Sequence, residues 1–169
     1  MQIRGKTKRL AVFSMLVAVA MILSYVESLV PAFVAIPGIK IGLSNIATVF
    51  ALYTLGVKSA IYVSVVRVSL SALLFGNTAA FIFSISGAIF SLAVMIILTR
   101  VGLFSCVGVS AVGGVFHNVG QIVAAMFVLK NTGIIYYLAP LVISGTVAGV
   151  AVGVVAGILV ARLSKKIGK

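Results

Sequence analysis

The sequence predicts an all-α fold: a polytopic membrane protein of six transmembrane helices, built as a single domain over residues 1–169. Two observations lead there. Hydrophobic residues make up 63% of the chain and the mean hydropathy is +1.35, whereas charged residues supply only 8%. A water-soluble domain is about a quarter charged, and a chain of this length cannot hide so much apolar surface by folding on itself. In addition, apolar runs of roughly 18 residues or more recur from end to end, the length a helix needs to cross a bilayer.

The spans follow in order. The first covers roughly 10–29. Its basic start and the run LAVFSMLVAVAMIL resemble a secretory signal, but the apolar stretch continues past Tyr25 toward Val30 without a small-x-small cleavage pattern. It reads as a retained helix. The second, 42–55, is short and bounded by glycines, so it tilts little or crosses incompletely; if it is re-entrant, only four or five helices cross. Gly56-Val57-Lys58 leads tightly into the third, 57–75, which Gly76-Asn77 closes. The fourth, 79–99, ends at Arg100-Val101-Gly102. The fifth runs over 106–129, and Lys130-Asn131-Thr132-Gly133 turns into the sixth, 133–161.

Charge sets the expected orientation. Thirteen Lys and Arg oppose one acid, Glu27. With both termini inside, Arg4, Lys6, Lys8, Arg9, Lys58, Arg100, Arg162, Lys165, Lys166 and Lys169 fall on the inner face, and only Lys40 and Lys130 on the outer. That bias fits the positive-inside rule with an even number of helices. The termini are therefore expected in the cytoplasm of a multi-pass cell-membrane protein of the bacterial plasma-membrane kind. The terminal basic clusters suit anionic lipid headgroups rather than nucleic acid. The lone Cys106 excludes an internal disulfide and a multi-cysteine metal site, so neither metal nor cofactor is expected.

Polar residues inside the spans need a reason, since an ionisable group there costs about 2.5–3.5 kcal/mol on insertion scales. Arg67 lies about ten residues into the third span, near mid-membrane, with Ser71 one turn outward on the same face. FHNVGQ puts His117 and Gln121 on one face with Asn118 beside them. Glu27 and Tyr25 fall near the outer end of the first span, and Tyr136 and Tyr137 open the last. In IPGIKIGLSN, Pro37 and Gly38 turn the chain, Gly42 permits close backbone approach, Asn45 points inward and Lys40 overhangs the mouth.

Glu27, Lys40, Asn45, Arg67, Asn77, His117, Asn118, Gln121 and Tyr137 thus make a candidate ligand site at mid-depth or in the outer half, above an almost purely apolar inner half. This pattern predicts a cavity open to the exterior, net positive and suited to a small anionic ligand such as a carboxylate or phosphate. Blander readings stay open for each residue: Lys40 as an interfacial snorkelling group, Arg67 as the structural partner of Glu27, His117 as a packing residue, the tyrosines as an interfacial belt. On the sixth span Gly145, Gly149, Gly153 and Gly157 recur every four residues along one face; Ser14 and Ala18 form a weaker pair on the first. Both faces serve helix packing within the chain or docking on a partner subunit.

SYVES, PGIKIGLSN, RVSLSALLFGN, GGVFHNVGQ and YYLAPLVISG together resemble the Gx transporter family, whose members are often labelled heptaprenyl diphosphate synthase component I. The resemblance runs from about residue 7 to 160. It implies a fold similar to the six-helix S components of energy-coupling factor (ECF) transporters. These capture a vitamin-like nutrient in an outward pocket, then associate with a membrane coupling subunit and paired cytoplasmic ATPases, and deliver the ligand by toppling in the membrane. The enzymatic label fails a chemical test: holding Mg²⁺-diphosphate takes several carboxylate oxygens, and this chain has no aspartate and one glutamate. There is no GxxxxGK[ST] nucleotide loop either. The chain is expected not to be an enzyme. An accessory role in isoprenoid or quinone synthesis, or a ligand-free place in a larger membrane complex, are the alternatives.

Overall fold

A computed structural model describes residues 6–29, 42–75 and 77–167; Lys40 and most of the IPGIKIGLSN stretch lie outside them. The described chain is helical throughout. Helices α1 (Lys6–Leu29), α2 (Asn45–Thr54), α3 (Val57–Phe75), α4 (Thr78–Val101) and α5 (Cys106–Leu129) are followed by a 3₁₀ segment, Thr132–Tyr137, and α6 (Leu138–Ile167). Five helices are long and apolar enough to cross a membrane, and α2 is the exception. Its ten residues rise about 15 Å, half of a ~30 Å hydrocarbon core. The chain is an integral membrane protein by this measure, but the second span, expected over 42–55, contributes only a half-length helix.

Local chemistry explains the boundaries. Gly42 adopts φ +93°, open only to glycine at low cost, and Leu43-Ser44 complete a turn in which Asn45 N donates to Gly42 O at 2.9 Å. This delays the helix to Asn45. Gly56 at φ +88° and Gly102 at φ +75° end α2 and α4. Asn77 and Ser105 cap α4 and α5, accepting from Ala80 N at 2.8 Å and Gly108 N at 3.2 Å. Pro140 falls in the first turn of α6, where its missing N–H costs nothing.

α5 is the hub, packed most extensively on α4 and α6. Glycines make these seams close. A Cβ on Gly149 would sit 2.6 Å from Ser110 O, and one on Gly153 would sit 2.7 Å from Val107 Cα. A Cβ on Gly120 would meet Ser86 O at 2.8 Å. Backbone therefore touches backbone along both sides of α5. The pairings run antiparallel, Gly145 with Gly114 and Gly153 with Val107. α1 packs on α3, and Tyr25 meets Phe75 with ring centroids 5.2 Å apart, so these two helices run in the same direction. The first residues of α1, α3 and α5 and the last of α4 and α6 consequently share one end, the terminal end.

Two apolar clusters divide the interior. One fills the terminal end, with Leu16 and Ala20 of α1, α2 over Ala47–Leu55, Val63 of α3, Met95 of α4, Val109 of α5 and Val152 of α6. The other lies at the opposite end and, among the described residues, joins α4, α5, the 3₁₀ segment and α6, through Phe83, Ile122, Ala125, Ile134 and Leu141. Between them lies a polar layer.

Candidate binding site

The layer collects what a bilayer interior normally rejects. Glu27, Ser44, Arg67, Ser71, Ser84, Ser91, Ser110, His117, Asn118 and Gln121 are all buried. α1, α3 and α5 each reach the layer along their own length, but α2 reaches it by starting there. Its first turn is held from both sides by charge: Gly42 N–H donates to Glu27 Oε1, and Arg67 donates to Ser44 Oγ through Nη1 and to Asn45 Oδ1, at 3.1 Å, through Nη2. A carboxylate at the start of a helix complements the helix dipole and its free N–H groups. Glu27 and Arg67 are within electrostatic reach of one another, yet the bonds of each go to the α2 turn.

A second group sits on α5. Gly87 of α4 leaves the space that His117 and Gln121 occupy: a Cβ there would stand 3.0 Å from His117 Cε1 and 2.9 Å from Gln121 Cγ. Asn118 turns the other way and donates to Leu141 O of α6 at 2.5 Å. A narrow cleft lies beside the start of α2, lined by Gly42, Asn45, Ser91, Gly113, Gly114 and Gly149 among others. Gly113 and Gly114 lie one turn before His117 and Asn118. The cleft is tight enough to admit on the order of one water.

Several atoms in the layer carry no hydrogen bond. They are Glu27 Oε2, Arg67 Nε, Ser71 Oγ and both amide atoms of Gln121, whose side chain is 0% exposed. Each such group costs about 1–3 kcal/mol in desolvation, more when charged. Folding alone would select against so many in one layer.

The structure sorts the residues expected to form the site. Glu27, Asn45 and Arg67 meet at the start of α2; His117, Asn118 and Gln121 lie beside them on α5. Asn77 is exposed and its side chain caps α4. Tyr137 is exposed in the 3₁₀ segment. Lys40 lies outside the described residues. Gly145, Gly149 and Gly153 face α5 within the chain, and a Cβ on Gly157 would stand 3.9 Å from Cys106 Cβ, an ordinary contact. Ser14 and Ala18 are exposed on α1. The expected roomy cavity is reduced to a cleft that admits on the order of one water, and on the α4–α6 side the second apolar cluster lies beyond the polar residues. Sequence reading missed Ser44, whose only signal is its place between Gly42 and Asn45, and the glycines of α4 and α5 that make room for the layer.

Neither the comparison with curated proteins nor that with solved structures returned a match. The family model described as heptaprenyl diphosphate synthase component I matches residues 16–159, which covers α2 to α5 whole, most of α1 and α6, and all the layer residues. By this match the chain belongs to the heptaprenyl diphosphate synthase component I family.

Proposed function

We propose that the chain is a substrate-binding subunit of a membrane transport system, resembling an ECF transporter S component, that takes a small anionic or amphipathic ligand from outside the cell. One observation carries this reading: a layer of buried polar side chains between two apolar clusters, with hydrogen-bonding capacity left over on Glu27, Arg67, Ser71 and Gln121. Buried polar atoms are ordinarily paired, and groups of unpaired ones mark sites that are completed by something else. Binding, rather than catalysis, suits a chain with one carboxylate and no clustered metal ligands among the described residues. Energy for transport would come from ATPase and coupling subunits, because this chain carries no phosphate-cradling loop.

The test is native mass spectrometry of the full-length protein purified in mild detergent. A retained small molecule that disappears in Arg67→Gln supports the reading, as does copurification of a coupling subunit with ATPases. Absence of any bound molecule in both proteins overturns it. A retained prenyl diphosphate would point instead to the accessory role that the family's description suggests.

A further inference from the structure

Among the described residues the charges of the layer are balanced one to one, and that limits what they can hold. On sequence the pocket counts as net positive, from Lys40 and Arg67 against Glu27. Among the described residues it contains a single carboxylate and a single guanidinium, Glu27 at 7% exposure and Arg67 at 5%. Both are anchored on the same turn, at Gly42 and at Ser44-Asn45, so their heads are held close to one another. A pair retained only for structure gains most by closing on itself, because each partner then satisfies the other's remaining atoms. This pair does not. Glu27 keeps Oε2 without a partner and Arg67 keeps Nε–H without one, with the unbonded Ser71 hydroxyl one turn further along α3 from Arg67.

The free atoms are of opposite kinds, an anionic acceptor and a cationic donor. A lone anion would satisfy Arg67 Nε but meet the carboxylate in a medium of low dielectric, where like charges repel strongly. A lone cation meets the mirror-image problem. We infer that the ligand is a small zwitterion, whose cationic group donates to Glu27 Oε2 and whose anionic group accepts from Arg67 Nε. This rests on the binding reading above and revises its ligand class, adding a cationic group to the anionic one. The α-amino acid is the simplest member, its ammonium and carboxylate separated by a single carbon.

The experiment uses the full-length protein in mild detergent and reads thermal stabilisation and binding with a panel of free α-amino acids. Each is accompanied by its des-amino acid and its decarboxylated amine. The expected result is stabilisation by at least one zwitterion and by neither of its singly charged analogues. Glu27→Gln keeps an acceptor for Gly42 N but loses the charge; Arg67→Lys keeps a charge but loses Nε. Each is expected to weaken binding by about tenfold or more, the scale of one charge-assisted hydrogen bond. Unchanged binding in Glu27→Gln overturns the inference. So does stabilisation by the des-amino acid alone, with Arg67 still required; in that case the binding reading survives. If no panel member stabilises the protein and native mass spectrometry finds no retained molecule, both fall.

Discussion

Gln121 shows how far a single side chain departs from what stability requires. It is fully enclosed and neither its carbonyl nor its amide finds a partner. Replacing it with Leu removes two unsatisfied polar atoms from an apolar setting, which should raise the stability of the ligand-free protein by about 1–3 kcal/mol. The same change should abolish retention of the bound molecule; a rise in Tm with retention intact would make Gln121 a packing residue only. Asn77 is the opposite case. Its side chain is occupied with Ala80 N at the head of α4, so Asn77→Ala should cost about 1 kcal/mol in thermal unfolding and leave ligand retention unchanged. The sequence could not separate these two polar residues. Gln121 follows His117 at helical spacing inside an apolar run, whereas Asn77 follows a glycine at a helix start, and both patterns fit a ligand contact as well as a local role.

At the scale of elements, the long helices were legible because apolar runs bounded by Gly, Asn or Lys leave little choice in a membrane chain. The runs at 57–75 and 106–129 coincide with α3 and α5. α2 was less legible. The start of the apolar run does not reveal that Gly42 takes a left-handed turn, nor that Leu43-Ser44 remain outside the helix, and these details bring Ser44 and Asn45 to Arg67. The glycine row of α6 was visible as a face, but its partner was not, since periodicity supplies direction without distance. Gly149→Leu would drive a side chain into the Ser110 carbonyl and the Ala111 backbone, so a loss of folded protein or a destabilisation of several kcal/mol is expected in detergent unfolding. Gly157→Ala meets nothing closer than 3.9 Å and should be neutral or stabilising by up to about 1 kcal/mol, through helix propensity.

Across the whole molecule, the class of protein was readable from composition, and the basic residues mark an end. Lys58 opens α3, Arg100 closes α4 and Arg162 lies near the close of α6, all at the terminal end, while Lys130 lies at the other. With Cys106 replaced by Ala, an impermeant maleimide applied to intact cells should label Thr132→Cys and not Leu103→Cys until the membrane is opened. The reverse pattern would invert the orientation. The apolar half beneath the polar residues was legible, but the second apolar cluster beyond them was not, because Phe83, Ile122, Ile134 and Leu141 come together from separate elements. A hydropathy profile averages each helix along its own axis, and so Arg67, Asn45 and His117 stay in separate windows until packing joins them.

The glycine seams of α5 have a mechanical consequence. Where main chain rests on main chain, no rotamer can turn to absorb a displacement, and sliding by a fraction of an ångström brings carbonyl oxygens into collision. α4, α5 and α6 therefore form the unyielding part of the bundle. α1 and α3 instead meet through side chains, Tyr25 against Phe75 among them, and contacts of that kind yield more readily than main chain on main chain. A rearrangement that admits a ligand is therefore expected on the α1–α3 flank rather than across these seams.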